Sequence, residues 1–279
     1  MIGLLAALAA CFSYGTASVL QAYGARSSRD PADSGAATLH STVRAALTPA
    51  FLAGMVLDGL GFLSSLVSAR LIPLFLSQTI ISANLVVTAL LGVAVLGVRL
   101  RGGDWLAIGT VVVSLVVLGF TTGHLGTGTG PPWLHWALLV AALVILAGGV
   151  MLARLLGARA AIPAGLIAGV LYGTMAVAVR VADGLDPFRV GALLTDPAAW
   201  TVAIAGIGGF YLFTVALQLG SVNGAAAALV VGETVIPGIL GILLFGDTAR
   251  PGFDWLLVVA FCTAVAGAVA VAGRVPNAG

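Results

Sequence analysis

A single glutamate lies within a strongly apolar stretch of the chain. Glu233 is the only glutamate in the sequence, and it stands near the middle of residues 221–246. Pro237 follows four residues later, and a proline has no N–H to bond the carbonyl oxygen of Glu233 in a helix. The residue therefore offers a carboxylate and a free backbone oxygen. Because a low dielectric disfavours a charged carboxyl group, we predict that Glu233 exchanges a proton near neutral pH or binds a cation.

A second acid and a carboxamide lie in the middle of other apolar runs. Asp58 lies within residues 47–69, and Asn84 lies within residues 71–97. An ionisable group in hydrocarbon costs about 2.5–3.5 kcal/mol on insertion scales and faces a cavity or a partner. A hydrogen bond to a neighbouring helix is the structural alternative for each of them. We predict that they bind a solute or an ion together with Glu233; the sequence does not identify a metal.

Two tyrosines and a proline complete the candidate site. Tyr14 and Tyr172 each stand in a Tyr-Gly-Thr triplet within an apolar run. Their rings can stabilise a cation and their hydroxyls can form hydrogen bonds, while packing at an interface is the alternative. We predict that both line the binding site and that Pro237 serves as a hinge.

The composition indicates an all-α integral membrane protein. Of 279 residues, 60% are hydrophobic and only 8% are charged, whereas a soluble domain carries about 25% charged residues. A span needs about 20 apolar residues. Nine such runs are present, and the third and eighth are long enough that we expect one kinked helix in each. The predicted spans are residues 3–23, 47–69, 71–97, 105–122, 133–155, 162–182, 200–219, 221–245 and 255–272.

Sequence signals of other function classes are weak. The glycine-rich segment 126–130 has no strand before it, as a phosphate-binding loop requires, and we find no catalytic set or redox centre. We therefore expect no enzyme activity and no cofactor. The three histidines, His40, His124 and His135, are predicted to be solvated rather than metal ligands. Arg180, at the end of a span, is predicted to reach the lipid headgroups.

Short matches between the two halves of the chain occur in the same order. Tyr14-Gly15-Thr16 recurs as Tyr172-Gly173-Thr174, Gly61-Phe62 as Gly209-Phe210, and Asp104-Trp105 as Asp254-Trp255. Aligning the halves on these matches brings Asn84 onto Glu233. One span lies between two sets of four, so the second set is inverted relative to the first. Such inverted repeats place the substrate site at their interface in many transporters.

The repeat divides the chain into three parts. We predict a first four-helix repeat over residues 1–124, a linker and central helix over 125–160, and a second repeat over 161–279. With the N-terminus outside, the cytoplasmic side holds most of the arginines, as the positive-inside rule requires. An alanine- and arginine-rich chain without lysine suggests a bacterial inner membrane, with the C-terminus in the cytoplasm.

Two segments resemble the EamA-like drug/metabolite transporter superfamily. Residues 233–255, ETVIPGILGILLFGDTARPGFDW, are similar to its plan of a helix with a central proline, a polar turn and a last helix. Residues 84–105 are similar but lack the proline, and the four-helix halves resemble duplicated and fused small multidrug resistance proteins. Nine spans look most like the NIPA-type magnesium transporter branch. Its Gly-Glu-x-x-Asn-Phe element corresponds to residues 57–62, which keep an acid and the phenylalanine.

These patterns and the resemblance lead to one main expectation and two alternatives. The main expectation is a secondary transporter of a small metabolite or drug-like solute, coupled to protons through Glu233. The resemblance implies, as one alternative, a Mg²⁺ permease in which acids and a backbone oxygen bind the ion. The other alternative is a membrane scaffold that transports nothing. The expected partners are the solute or cation and the bilayer, with a homodimer possible and no nucleic acid.

Overall fold

The described part of the chain is an all-helical bundle. The computed structural model describes residues 1–27, 48–97, 101–126, 130–184, 189–219 and 222–274. The 25–44 connection, including His40, lies largely outside these residues. The helices are Ile2–Ser27, Pro49–Leu71, Leu74–Ser82, Asn84–Leu96, Gly102–Thr121, Trp133–Leu156, Ala161–Val181, Val190–Thr195, Pro197–Leu219, Val222–Phe245 and Asp254–Arg274. The 3₁₀ turn Gly157–Ala160 joins the fifth and sixth spans.

Nine of the described segments are long and apolar enough to cross a membrane, so the chain is a multi-pass membrane protein. This confirms the predicted number of spans. Large apolar side chains cover the outer surface. The five tryptophans are all more than half exposed and lie near the first residues of their spans, where amphipathic rings prefer the membrane interface.

The third span contains a break that the sequence prediction of one kinked helix did not locate. Its two helices meet at Ala83, whose N–H bonds the carbonyl oxygens of both Ile80 and Ile81. The side chains of Ser82 and Asn84 donate to backbone carbonyls of the preceding turn. Such side chains compete with the helical ladder, which explains a break without proline or glycine. The eighth span, by contrast, is one helix that contains Pro237, as predicted.

The sixth span, Ala161–Val181, is the centre of the second half. It is the most buried of the nine spans and packs against the fifth, seventh and eighth. In the first half, the first span packs against the second and third. The halves meet where the eighth span contacts the third and where the ninth contacts the fourth.

Three glycines let the sixth and eighth spans approach closely. Gly165, Gly169 and Gly173 recur every four residues, which places them on one helix face. A Cβ built on Gly169 would lie only 2.1 Å from the carbonyl oxygen of Leu229, and one on Gly173 would lie 2.8 Å from Cδ of Pro237. The backbone of the eighth span around Glu233 is therefore held directly against the sixth span.

Candidate functional site

Four of the five predicted site residues form one group at mid-depth, the central cluster: Glu233, Asp58, Tyr14 and Tyr172. Both carboxyl groups lie near both tyrosine hydroxyls, and the two hydroxyls lie near each other. The residues come from the eighth, second, first and sixth spans. All four residues are of intermediate burial.

The rings of the two tyrosines make equivalent packing contacts. A Cβ built on Gly61 of the second span would lie 3.1 Å from the ring of Tyr14, and one built on Gly209 of the seventh span would lie 3.0 Å from the ring of Tyr172. Each ring thus lies against a glycine of the next long helix of its half. The tyrosine rings are fixed by close packing rather than left free to turn away from the acids.

The glycine of each Tyr-Gly-Thr triplet faces the span that lies two spans further along the chain. Gly15 lies against the backbone oxygen of Asn84 and the side chain of Val87, whereas Gly173 lies against Pro237 and the backbone oxygen of Gly232. Each triplet therefore brings a tyrosine and the middle of the third or the eighth span to the same level. This local packing explains why the candidate residues meet although they are far apart in sequence.

Asp58 has a polar partner within its own half. Its carboxylate accepts a hydrogen bond from the side-chain amide of Gln21, with an N···O distance of 2.5 Å. Sequence reasoning missed Gln21, although an amide inside the first apolar run was a usable signal. The hydroxyl of Ser65 in the second span donates to the carbonyl oxygen of Phe62 and lies near the hydroxyl of Tyr14. The first two spans thus carry a connected polar surface at mid-depth.

Asn84 lies beside the central cluster, but its amide bonds its own helix. The side-chain nitrogen donates to the carbonyl oxygen of Ile81 at 2.9 Å, and the backbone oxygen accepts from the hydroxyl of Thr88. The side chain is half-buried. Its described role is therefore to end the first helix of the third span, and a direct role in binding stays a prediction.

The two carboxyl groups at mid-depth have no basic residue beside them among the described residues. Glu233 and Asp58 lie in the middle of their spans, whereas each arginine among the described residues lies in a terminal turn or in a connection. No described basic residue at that depth therefore balances the two acids. A proton or a cationic solute is the charge that such a site accommodates best.

A second acid-containing site joins several helices at one end of the bundle, here called the Arg180 end. Arg180 makes a two-pronged ion pair with Asp247, with N···O distances of 2.6 and 3.0 Å. Only 5% of the Arg180 side chain and none of the Asp247 side chain are exposed. The prediction that Arg180 reaches the headgroups was wrong, because Asp247, just beyond the eighth span, folds back over it. The polar turn after that span was the only available signal.

A third polar group also lies at the Arg180 end. His135 Nδ1 and Asp196 Oδ1 are 2.6 Å apart, and Asp183 is close enough that the three residues offer ligand atoms within 4.8 Å of one another. They line a cavity of about 290 Å³ together with Trp136. His135 is thus paired rather than solvated as predicted. Asp196 also accepts hydrogen bonds from the N–H groups of Asp183 and Ala198, so it fastens the fifth and seventh spans.

Comparisons with protein-family models, curated proteins and solved structures gave no match. The resemblance to the drug/metabolite transporters therefore rests on the sequence patterns alone. Function is therefore inferred from the chemistry of the central cluster.

Proposed function

We propose that the protein is a secondary transporter of a small organic cation, coupled to protons through Glu233. The observation that carries the proposal is the central cluster itself. It gathers two acids and two tyrosine rings from four spans at mid-depth, without a described arginine at that level. An ionisable side chain in hydrocarbon costs free energy. Exchange of a proton for a cation at this site explains why the protein carries such a side chain.

The equivalent packing contacts of the two tyrosines support an inverted-repeat architecture. Tyr14 on Gly61 and Tyr172 on Gly209 are equivalent contacts in the two halves. The hydroxyls of Ser114 and Thr263 also lie 2.8 Å apart where the fourth and ninth spans meet. In this proposal the halves rock about the central cluster, Pro237 is a hinge, and the residues 1–124 and 161–279 are the two repeats.

Proton and solute compete for the same carboxylate in the proposed cycle. A solute with a positively charged nitrogen lies against the tyrosine ring faces and close to ionised Glu233. Protonation of Glu233 removes the charge that holds the solute, and release follows on that side of the membrane. Loss of the proton on the other side restores the site for the next solute molecule.

The chemistry of the cluster favours an organic cation over Mg²⁺. Mg²⁺ prefers six oxygen ligands in a nearly octahedral arrangement and keeps several waters. Here Asp58 accepts a hydrogen bond from the amide of Gln21, and two aromatic rings accompany the acids. Rings supply little to a hydrated divalent ion, but they suit an alkylammonium group.

Uptake into proteoliposomes tests the proposal with three probes of similar size. Choline is cationic, glycine betaine is zwitterionic, and 3,3-dimethylbutyrate is anionic. With acid inside the vesicles, we expect choline to accumulate above empty liposomes and the anion to stay at background. Accumulation of the anion alone would contradict the proposed charge preference. Accumulation of Mg²⁺ without choline would support a divalent-cation permease, and failure of all probes would favour a scaffold.

The aromatic ring of Tyr172 is expected to matter more than its hydroxyl. Tyr172→Phe keeps the ring face, whereas Tyr172→Leu removes it, and a cation–ring contact is worth about 0.5–2 kcal/mol. We therefore expect Phe to leave the choline concentration at half-maximal uptake within about two-fold, and Leu to raise it by about 2- to 30-fold. Equal effects of both substitutions would show that the hydroxyl, not the ring, contacts the solute.

The proposed setting is the inner membrane of a bacterium with the N-terminus outside. Nine spans place the termini on opposite sides, and the Arg180 end carries the N-terminus. Arginines are fewer at this end than at the other, which supports placing it outside.

A further inference from the structure

Asp247 gathers hydrogen bonds from three other segments of the chain. Its carboxylate accepts both bonds from the Arg180 guanidinium, one from the N–H of Leu74 and one from the N–H of Gly126. Leu74 is the first residue of the third span, Arg180 ends the sixth, and Gly126 belongs to the connection between the fourth and fifth. One buried carboxylate therefore ties the first half, the linker and the second half together.

Further contacts of Arg180 and its neighbours join the same end of the bundle. Its guanidinium also donates to the carbonyl oxygen of Gly126 at 3.2 Å and lies 4.9 Å from the centre of the Phe245 ring. Next to it, Thr122 and Ala249 pair as an isolated antiparallel bridge. Arg70 of the second span donates to the carbonyl oxygens of Val179 and Ala182 at the end of the sixth.

These contacts are concentrated at one end of the bundle. Among the described residues, the hydrogen bonds between residues 1–124 and residues 161–279 lie at the Arg180 end, apart from the mid-depth pair of Ser114 and Thr263. The central cluster lies about half a span below this end. The Arg180–Asp247 pair therefore lies between the level of the central cluster and the membrane surface at this end.

We propose that the Arg180–Asp247 ion pair is the latch that closes the central cluster at this end, and that it opens and reforms in each transport cycle. This inference rests on the proposed transport function. A latch of this kind suits a reversible gate because the pair is buried and each carboxylate oxygen of Asp247 accepts two hydrogen bonds. Both ions must find new partners or water when it opens, which makes the open and closed states discrete.

The latch is tested by labelling a reporter cysteine from each side of the membrane. Tyr172→Cys serves as the reporter in a background with Cys11→Ser and Cys262→Ser, and the probe is a charged, membrane-impermeant methanethiosulfonate. With the latch intact, we expect labelling mainly from the end opposite to Arg180. Adding Asp247→Asn removes the ionic attraction, and we expect labelling from the Arg180 end to become at least about ten-fold faster.

Asp196→Asn is the matched control. It weakens another aspartate-centred side-chain contact at the same end, that of Asp196 with His135, but that contact joins the fifth and seventh spans rather than the two halves. We expect it to leave the labelling pattern unchanged. Faster labelling in both variants would overturn the latch, because it would indicate a general loosening of this end. Faster labelling in neither variant would also overturn it, because this end would then stay closed without the ion pair. A reporter that is unlabelled from both ends in every variant would instead count against the proposed transport function.

A disulfide cross-link that holds the Arg180 end closed also tests the latch, without weakening the fold. Thr122 and Ala249 face each other across the antiparallel bridge, where Cβ atoms are about 4.5–5.5 Å apart, near the range for a disulfide. In the same cysteine-free background, Thr122→Cys with Ala249→Cys should block choline uptake when oxidised and restore it on reduction. Full transport by the oxidised protein would show that this end need not open.

Discussion

Replacing Glu233 by glutamine is expected to reduce proton-driven choline uptake to the level of empty liposomes. Glutamine has nearly the shape of a protonated glutamate, but it can neither release a proton nor attract a cation. The substitution therefore removes the exchange on which the proposed cycle depends. Initial uptake rates in proteoliposomes with acid inside, compared with equal pH on both sides, measure the effect.

A second acid supplies the matched control for this experiment. Asp254 is exposed in the first turn of the ninth span, far from the central cluster in depth, and Asp254→Asn removes the same charge. We expect this variant to retain most of the proton-driven uptake. Glu233→Asp keeps the charge on a shorter side chain and should retain part of the activity. Unchanged uptake by Glu233→Gln would remove the proton-coupling role.

Gly169→Val is expected to cause the largest loss of stability of any single substitution considered for this fold. The added Cβ alone would lie 2.1 Å from the carbonyl oxygen of Leu229 and 3.0 Å from the backbone nitrogen of Glu233. Backbone atoms cannot turn away as side chains do, so the sixth and eighth spans must separate. Overpacking in a core costs about 1–3 kcal/mol and sometimes more.

Gly109→Val in the fourth span is the control for this prediction. No atom outside its own helix lies within 4 Å of a Cβ built on Gly109, and the residue is exposed. Both variants carry the same intrinsic helix preference, so only the contact differs. The midpoint of thermal unfolding in detergent should fall clearly for Gly169→Val and stay near the wild-type value for Gly109→Val. Similar midpoints would show that the close helix contact does not contribute to stability.

The spans and most of the candidate site could be predicted because their signals are local. A run of apolar residues is itself the property that makes a span, and Glu233, Asp58, Tyr14 and Tyr172 stood out against such runs. Their meeting at one depth followed from the positions of the residues within the spans. The repeat of Tyr-Gly-Thr indicated that the two tyrosines were related. In the structure the ring of each tyrosine packs against an equivalent glycine, Gly61 or Gly209.

The features that escaped prediction depend on contacts between distant segments. Arg180 and Asp247 are 67 positions apart in the sequence. An arginine at the end of a span has the same sequence context whether its side chain faces lipid or another helix. The break at Ala83 arises from the hydrogen bonds of neighbouring polar side chains with the backbone. Those side chains could equally have bonded another helix. The pairing of Asp58 with Gln21 likewise required the packing of two spans to be known.

The central claim is that a solute reaches the acid at the middle of the membrane, and the chemical accessibility of position 233 tests it most directly. Cys262 lies at a comparable depth in the ninth span and is exposed on the outer surface, so it is an internal control that lipid should shield. The measurement is the rate at which a cationic, membrane-impermeant methanethiosulfonate modifies Glu233→Cys in lipid vesicles. Fast modification at position 233, with slow modification of Cys262, is the predicted result. A cysteine at position 233 that reacts no faster than Cys262 from either side would contradict the account.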